Sequence, residues 1–428
     1  MDTSVRFLGE ARIDSPLSSG PFVENHERVL YDFSAETVAN EIREGREPVS
    51  FLKAGPRRKI FFDPSKLKCA IVTCGGLCPG LNNVIRSLVL TLYHSYGVTN
   101  IIGIRYGLQG FIPRYGHPIQ ELTRDWVSEI HELGGTVLSS SRGPQNVEEI
   151  VDALERMNVG ILFTIGGDGT FRAAAKIAQE IRERGSRIAI IGIPKTIDND
   201  ILLCSRSFGF ETAVSRAAGI ISSAHVEANG APNGIGLVKL MGRQSGFIAA
   251  SAALGNSYAN FVLIPESDFD FEGPHGLLAV LEQRLLRRKH AVIVVAEGAG
   301  QKYCNVSGTD ESGNVRLGDI GLLMKERINE HFRSIGMEIN LKYFDPSYYI
   351  RSVPATPNDS VFCAFLAQNA VHAGMAGMTN VMVAMWHTDF VYVPIRLVIT
   401  GRKQVDLNGR LWRSVLESTG QPTFKPHE

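Results

Sequence analysis

Two loops rich in glycine and aspartate follow successive apolar runs. Residues 166–170 read Gly-Gly-Asp-Gly-Thr, and residues 194–200 read Pro-Lys-Thr-Ile-Asp-Asn-Asp. The glycines of the first loop let backbone N–H groups approach an anion, while Asp168 can hold a divalent cation. The second loop places two carboxylates beside Lys195, which offers both a base and a metal partner. Each loop alone also fits an ordinary strand-to-helix turn, but together they indicate a site that handles phosphates.

Composition describes a globular chain without a general affinity for polyanions or membranes. The 428 residues carry 44 basic and 44 acidic side chains, so no net field favours nucleic acid or an anionic membrane. The length permits two or three domains. Residues 360–388 lack formal charge, but polar residues and glycines interrupt them, so they are interpreted as a buried helix and strand, not a membrane span.

The six cysteines are scattered, and no second Cys or His pair lies at zinc-site spacing from Cys74 and Cys78. Small buried thiols in a reducing cytosol are expected. The charged first thirty residues contain no sustained apolar core, which argues against a secretory signal. A cytoplasmic location is therefore predicted.

From Lys68 onward, short apolar runs alternate with longer amphipathic stretches, which is the rhythm of a parallel α/β sheet. The predicted strands cover residues 69–73, 100–104, 160–165, 187–193, 235–240, 260–265, 291–296 and 379–385. Helices are expected over 82–94, after the loop at Gly167, and within 406–419. Residues before Lys68 lack this rhythm and are predicted to form an arm.

A third glycine loop, residues 75–83, follows the first predicted strand. It is weak evidence alone, because many α/β turns look similar. Three strand-end loops on one parallel sheet can, however, converge at the carboxyl edge, where open α/β folds bind ligands.

With these loops in place, the chain resembles the 6-phosphofructokinase family from Ala70 to about Arg351, because the motifs arrive in that family's order. The matching blocks are Gly75 to Asn82, Tyr106-Gly107, Ser141-Arg142, Gly166 to Thr170, Pro194 to Asp200, Met241-Gly242-Arg243, Glu297-Gly298 and Arg351. Within this family, the chain resembles the long-chain branch in two details. These are Lys195 before Thr196 and the segment from Lys342 to Tyr348.

The resemblance implies an α/β fold of two Rossmann-like three-layer domains with mainly parallel sheets. Its expected divisions are an arm at 1–67, a nucleotide-binding domain at 68–209 plus about 350–400, a fructose 6-phosphate domain at 210–349, and a C-terminal helix and tail at 401–428. It also implies a homotetramer or dimer, with neither nucleic acid nor membrane as a partner.

The implied reaction moves the terminal phosphoryl group of Mg²⁺-bound ATP to the 1-hydroxyl of fructose 6-phosphate. Asp198 is the expected general base, and Asp168 the expected Mg²⁺ anchor, assisted by Thr196 and Asp200. An alternative role for Asp200 is to cap the next helix.

Arg142 and Lys195 would neutralise charge on the moving group. The expected nucleotide-binding residues are Gly76, Tyr106, Arg142, Gly167, Asp168, Gly169 and Thr170.

The expected sugar-phosphate residues combine hydrogen-bond acceptors and cations. They are Thr196, Asp198, Met241, Gly242, Arg243, Glu297, Lys342, Tyr348 and Arg351. Two positions depart from the short-chain pattern, because Lys342 and Gly234 stand where arginines are expected.

The residue after Asp168 bears on the phosphoryl donor. Gly169 leaves room for the α-phosphate and ribose of ATP, whereas the aspartate of pyrophosphate-dependent members would fill that space and repel the phosphate. A lysine at the position of Lys195 is found in the pyrophosphate-dependent members and also in the ATP users of the long-chain branch. Pyrophosphate therefore remains an alternative donor.

Three other functions fit only part of the sequence pattern. The NAD and lipid kinases share the loop at 166–170 but lack the blocks at 194–200 and 241–243. A catalytically inactive sugar-phosphate or nucleotide sensor would not need a base. A Rossmann dehydrogenase fits less well, because no loop reads Gly-x-Gly-x-x-Gly with an acid about twenty residues later.

Overall fold

The computed structural model describes residues 1–17, 20–304, 306, 308–309 and 315–424. Parts of the predicted divisions at 1–67, 210–349 and 401–428 therefore lie outside the described residues. The strands are β1 (Arg6–Phe7), β2 (Ile13–Asp14), β3 (Arg28–Leu30), β4 (Ser50–Lys53), β5 (Lys59–Ile60), β6 (Lys68–Thr73), β7 (Asn100–Ile104), β8 (Ile119–Glu121), β9 (Ile161–Gly166), β10 (Ala189–Pro194), β11 (Gly234–Leu240), β12 (Phe261–Leu263), β13 (His290–Ala296), β14 (Asn340–Phe344), β15 (Met378–Thr379), β16 (Val381–Trp386) and β17 (Asp389–Pro394). The helices are α1 (Ala35–Arg43), α2 (Leu81–Tyr96), α3 (Val147–Arg156), α4 (Asp168–Glu183), α5 (Phe210–Asn229), α6 (Phe247–Asn256), α7 (Leu277–Arg288), α8 (Ile320–Ser334), α9 (Pro357–Met375), α10 (Ile395–Val398) and α11 (Arg410–Thr419).

The chain divides into two compact units. Unit 1 comprises Met1–Thr196, Ile201–Gly209 and Ser352–Arg402, and unit 2 comprises Ile197–Asp200, Phe210–Arg351 and Lys403–Glu428. The segment 197–200 is thus grouped with unit 2, although residues on both sides of it belong to unit 1.

Unit 1 is built on a sheet whose described strands run in the order β3-β4-β17-β16-β10-β9-β6-β7-β8. The five central strands, from β16 to β7, are parallel to one another. Antiparallel strands flank them on both sides. Because parallel strands end at one edge, the loops after β6, β7, β9 and β10 share the carboxyl edge of this sheet.

Helices cover both faces of this sheet, which makes unit 1 a three-layer structure. The apolar stripes of α3 and α4 pack in one core with β6, β9 and β10, as Phe171, Ile177 and Leu162 illustrate. On the other face α2 packs against α9, and α9 contacts β10 and β16. A Cβ at Gly374 would lie 3.0 Å from the Ile161 side chain, so α9 approaches β9 closely.

The first sixty-seven residues, for which the sequence predicts an arm, contribute strands to unit 1. Strand β4 pairs antiparallel with β17, and β3 pairs with β4. The Arg28 guanidinium donates hydrogen bonds to Ser50 Oγ and Thr3 Oγ1, both at 2.8 Å. This segment therefore extends the sheet of its own chain.

Unit 2 has a smaller sheet with the described strand order β12-β13-β11-β14, in which all pairs are parallel. Helices α7 and α8 form a core on one face, with Leu281 and Phe332 buried against Ile293. Helices α5 and α6 contact the sheet and each other. A Cβ at Gly236, on β11, would lie 2.7 Å from the Ala224 carbonyl oxygen of α5. Glycine at this position therefore allows α5 to pack closely against the strand.

The predicted fold class is confirmed, and most predicted strands differ from the observed ones only at their ends. The strand predicted over 260–265 is shorter, at Phe261–Leu263. Just before this strand, Asn260 N donates to the Val292 carbonyl oxygen, and the Asn260 side chain accepts a hydrogen bond from Val292 N, both at 2.8 Å. The helix predicted within 406–419 is α11.

The cysteine side chains are mostly buried. All six cysteines lie in the described residues; no disulfide joins them, and five of them are buried. Burial raises the pKa of the Cys74 thiol to about 12, against a smaller opposite effect of Lys195. Within the described residues, no helix is both long and apolar enough to span a bilayer.

Candidate active site

The loop after β9 is held in a tight turn before α4. Gly167 has an extended backbone, and α4 begins at Asp168. The amides of Thr170 and Phe171 donate to the Gly167 carbonyl oxygen at 3.0 and 3.1 Å. A Cβ at Gly166 would lie 2.0 Å from Thr170 Oγ1, so only glycine fits. Asp168 is consequently fixed at the first turn of a long helix, at the carboxyl edge.

Gly169 faces open space. Apart from its chain neighbours and the backbone of its own helix, no described heavy atom lies within 4 Å of a Cβ built there, and its φ lies outside the left-handed region. The fold therefore does not require glycine at this position, in contrast to Gly166.

The loop after β6 is joined to the segment around Ser141. Gly75 N donates to the Ser141 carbonyl oxygen at 3.1 Å, and Ser140 Oγ donates to the Gly75 carbonyl oxygen at 2.7 Å. Tyr106 N donates to the Leu138 carbonyl oxygen at 2.9 Å. The predicted nucleotide-binding blocks at 75–76, 106–107 and 141–142 are thus brought together in unit 1.

Tyr106 and Arg142 differ in how they are held. Tyr106 adopts a left-handed backbone with φ of 59°, and its ring lies 4.3 Å from that of His117 between centroids. Arg142 is exposed, and it makes no ion pair with any residue that the structure describes. The Arg142 guanidinium therefore remains available to an anion.

Lys195 lies at the centre of this edge. Its side chain is buried at 5% exposure, and Nζ donates to the Gly76 carbonyl oxygen at 2.8 Å. Its backbone N–H donates to the Gly166 carbonyl oxygen at 2.9 Å. The next residue, Thr196, accepts a hydrogen bond at its carbonyl from Ser207 Oγ at 2.7 Å.

The Asp168 carboxylate is paired with two guanidinium groups. Arg172, one turn along α4, donates from Nε to Oδ2 at 3.0 Å, and Arg402 lies 3.4 Å from the same oxygen through Nη2. The Asp168 side chain is 14% exposed. Oδ1 accepts no hydrogen bond from the described part of the chain, so one oxygen is accessible to a further cation.

In unit 2, the segment carrying Asp198 is anchored through its backbone. Ser245 Oγ donates to the Asp198 carbonyl oxygen at 3.1 Å. Lys403 N donates to the Asp200 carbonyl oxygen at 2.9 Å, and Lys403 Nζ donates to Asn199 Oδ1 at 3.1 Å. Asn199 itself is left-handed, with φ of 55°. Asp198 is half-buried, whereas Asp200 is 7% exposed.

The blocks at 241–243 and 297–298 meet at the carboxyl ends of β11 and β13. Gly298 N donates to the Gly242 carbonyl oxygen at 3.1 Å. Gly242 has φ of 138°, and a Cβ there would lie 2.5 Å from the Ser245 carbonyl oxygen. A Cβ at Gly298 would lie 2.0 Å from the Arg243 carbonyl oxygen. These two glycines allow the two loops to pack against each other, beside Met241.

Glu297 lies among cations in this part of unit 2. Burial raises the pKa of its carboxyl group, while Arg243, Lys239 and Arg351 act in the opposite direction. Because the shift is upward, burial outweighs the cations. A partly desolvated carboxylate close to guanidinium groups can accept hydrogen bonds from hydroxyls.

The segment from Lys342 to Arg351 is less uniform than the sequence implied. Lys342 is exposed and pairs in register with Gly236, four residues before the end of β11. Tyr348 is 76% exposed, and the Arg351 guanidinium lies 5.0 Å from the centre of its ring. Arg351 acts to lower the pKa of the Glu297 carboxyl group, so the two groups interact. Lys342 lies in the middle of β14.

Close packing against α5 explains why a glycine stands at position 234, where an arginine is expected. A Cβ there would lie 2.0 Å from the Ala228 carbonyl oxygen, at the end of α5. Lys239 provides a cation five residues further along the same strand, and it pairs with Asp345 at 2.8 Å and with Asp319 at 3.2 Å.

Comparison with known proteins gives the decisive observation. The family described as phosphofructokinase matches residues 68–374, which is more than half of the chain. The chain belongs to the phosphofructokinase family. Two relatives in this family are named ATP-dependent 6-phosphofructokinase. One, from Borreliella burgdorferi, is 50% identical and matches 99% of this chain and 97% of its own. The other, from Amycolatopsis methanolica, is 49% identical over 98% of this chain and 95% of its own.

Solved phosphofructokinase structures share the fold. The pyrophosphate-dependent phosphofructokinase from Marinobacter aquaeolei superposes with a TM-score of 0.68, covering 85% of this chain and 94% of that one, at 18% identity. That likeness supports the phosphofructokinase architecture alone, because the identity is low.

Three cations of this phosphofructokinase-family chain were missed by sequence reasoning. Arg402 and Lys403 lie far along the chain from the loops that they contact, and no motif marks them. Lys239 did carry a signal, since it is a single charge inside the otherwise uncharged strand Gly234–Leu240.

Proposed function

We propose that the chain transfers the γ-phosphoryl group of Mg²⁺-bound ATP to the 1-hydroxyl of fructose 6-phosphate, giving fructose 1,6-bisphosphate and ADP. The observation that carries this proposal is the near-complete alignment, at 50% identity, with a relative named ATP-dependent 6-phosphofructokinase. The placement of the phosphate loops at one sheet edge supports the same reaction.

The choice of ATP is supported by Gly169. The space beside it is open, so an α-phosphate and ribose meet no side chain there. An aspartate at this position would add a negative charge next to the α-phosphate, which disfavours ATP and leaves pyrophosphate unaffected.

Lys195 and Arg142 are proposed to balance charge on the transferred group. Phosphoryl transfer depends mostly on positioning and on compensation of negative charge. Lys195 is buried and oriented by Gly76, so its ammonium group is fixed before substrate binds. Such fixed charges stabilise a transition state without reorganisation.

Asp168 would hold Mg²⁺ through Oδ1, and Thr196 and Asp200 would assist. No cluster of three or more His, Cys, Asp or Glu side chains suited to a metal occurs in the described ranges. A single carboxylate fits Mg²⁺, which commonly keeps several waters and binds through phosphates. When bound, the ion would offset the charge of the donor phosphates.

Asp198 is proposed as the general base. The carboxylate would accept the proton of the sugar 1-hydroxyl as that oxygen attacks phosphorus, which requires an acceptor about 3 Å away. Its backbone is held by Ser245, a residue that is 1% exposed. This anchoring limits motion of the carboxylate during proton transfer.

The sugar phosphate is proposed to bind on unit 2. Glu297 would accept hydrogen bonds from sugar hydroxyls, and Arg243 and Arg351 would contact the 6-phosphate, since guanidinium groups match phosphate geometry. Met241 and Gly242 would line the sugar, while Tyr348 and Lys342 would lie at its outer side.

Incubation with fructose 6-phosphate, Mg²⁺ and ATP tests this function, with phosphorus NMR to locate the new phosphate. A product phosphorylated at both C1 and C6 is expected. Binding without turnover would instead identify a sensor, and consumption of ATP with NAD but not with the sugar would identify a NAD kinase.

A further inference from the structure

The candidate metal carboxylate shares its Oδ2 atom between two arginines. Arg172 comes from the same helix and is 51% exposed, whereas Arg402 comes from the end of unit 1 and is 25% exposed. Two guanidinium groups therefore share one oxygen of this carboxylate.

Arg402 is fixed by its backbone as well as by its side chain. It forms an isolated antiparallel bridge with Ile201, a residue that is 3% exposed. Arg402 follows α10, a helix that contacts α4, on which Asp168 lies. The Arg402 guanidinium is therefore held beside Asp168 by the folded backbone of unit 1.

A cation fixed at this distance has opposite effects on the two forms in which a metal can arrive. A free divalent ion is repelled by Arg402 and meets an Asp168 already neutralised by it. The complex of the metal with ATP carries net negative charge, so the same guanidinium attracts its phosphates. Arg402 thus favours the complex over the free ion.

We infer that Arg402 makes metal binding at Asp168 depend on nucleotide. It is a positioning residue, which holds Oδ2 and leaves Oδ1 toward the metal, and it prevents the carboxylate from retaining a divalent ion between turnovers. This inference rests on the role proposed above for Asp168.

The test measures free Mn²⁺ by electron paramagnetic resonance, with Mn²⁺ as the probe and without turnover. Titrations are made with and without a non-hydrolysable ATP analogue. The proteins are the full-length wild type, Arg402→Gln, Arg402→Lys, Asp168→Asn and the double variant Arg402→Gln with Asp168→Asn. Arg396→Gln is the matched control, because Arg396 is a partly exposed arginine that pairs with Asp2, and Asp2 is not part of the proposed site.

Without nucleotide, Arg402→Gln is expected to bind Mn²⁺ about tenfold more tightly than the wild type, since one opposing charge is removed. The double variant should lose that gain, and Arg402→Lys should behave like the wild type. With the ATP analogue, Arg402→Gln should bind the Mn²⁺ complex more weakly.

Two other results separate failure of this inference from failure of the proposed function. Unchanged Mn²⁺ binding by Arg402→Gln, with nucleotide-dependent binding still abolished by Asp168→Asn, would overturn the role of Arg402 and leave Asp168 as the metal residue. Nucleotide-dependent Mn²⁺ binding that survives Asp168→Asn would overturn both. Circular dichroism of each variant excludes misfolding as the cause.

Discussion

Lys195 at the end of β10 reaches across β9 and donates a hydrogen bond from Nζ to the carbonyl oxygen of Gly76, at 2.8 Å. Its backbone N–H bonds to Gly166 on the intervening strand. One residue therefore links the loops that follow β6, β9 and β10. Asp198 follows it by three positions in the chain, so the proposed charge-balancing group and the proposed base belong to one short segment.

Replacement of Lys195 should affect the chemical step more than nucleotide binding. We expect Lys195→Met to lower kcat by about 10²–10³, by analogy with removal of one preorganised stabilising group. Steady-state kinetics with ATP and fructose 6-phosphate would measure this.

A matched control is Lys176→Met, which removes an exposed lysine from α4 and should leave kcat unchanged. If Lys195→Met retained the wild-type kcat while folding normally, Lys195 would have no role in stabilising the transferred group.

Asp198→Asn should remove the base and retain the fold. The amide preserves the shape of the side chain but cannot accept the proton as a carboxylate does, so kcat should fall by about 10²–10⁴. Isothermal titration calorimetry should find fructose 6-phosphate bound with nearly wild-type affinity. Weak sugar binding together with an intact kcat would assign Asp198 to binding and not to proton transfer.

Gly169→Asp should discriminate between donors. Because the added Cβ meets no described atom within 4 Å beyond its chain neighbours and its own helix backbone, the variant should fold. The new carboxylate should repel the α-phosphate of ATP. We expect kcat/KM for ATP to fall about tenfold or more, with no matching loss for any activity with pyrophosphate.

Gly169→Ala provides the uncharged control and should remain close to the wild type. Equal loss with Gly169→Ala and Gly169→Asp would trace the effect to backbone or steric change and would refute the electrostatic argument.

Binding of fructose 6-phosphate should depend on pH through Glu297. Burial raises the pKa of this carboxyl group above its ordinary value of 4.5, so protonation begins at a higher pH than for an exposed glutamate. The KM for fructose 6-phosphate should rise as the pH falls toward the raised pKa, because the protonated group is a poorer acceptor.

In Glu297→Gln this acid rise in KM should disappear. Glu297 also affects the free energy of unfolding. Because the pKa of its carboxyl group is raised in the folded state, its contribution to stability is fully present below the ordinary pKa. That contribution is lost as the pH rises through the raised pKa. Glu297→Gln should therefore be at least as stable as the wild type at pH 7. A less stable variant at that pH would contradict the assigned pKa direction.

The sequence predicted those features that are encoded locally. The strand at 161–166 and the helix after Asp168 follow from apolar periodicity and a glycine turn, and their shared edge follows from parallel pairing. Gly234 departed from the family pattern, and only the packed structure gives the reason, which is contact with Ala228.

Features that depend on distant parts of the chain were not predictable in this way. Arg402 lies more than two hundred residues from Asp168, yet the two side chains pair at 3.4 Å. Residues before Lys68 have no βα rhythm because their strands are short and antiparallel, and the sequence did not predict that β4 pairs with β17.

The most direct test of the central claim is the initial rate of fructose 1,6-bisphosphate formation from fructose 6-phosphate and Mg²⁺, with ATP and pyrophosphate compared in parallel. We predict turnover with ATP, none with pyrophosphate, and loss of the ATP-dependent rate in Asp198→Asn. Turnover with pyrophosphate alone, or no turnover with either donor by a folded protein, would contradict the account.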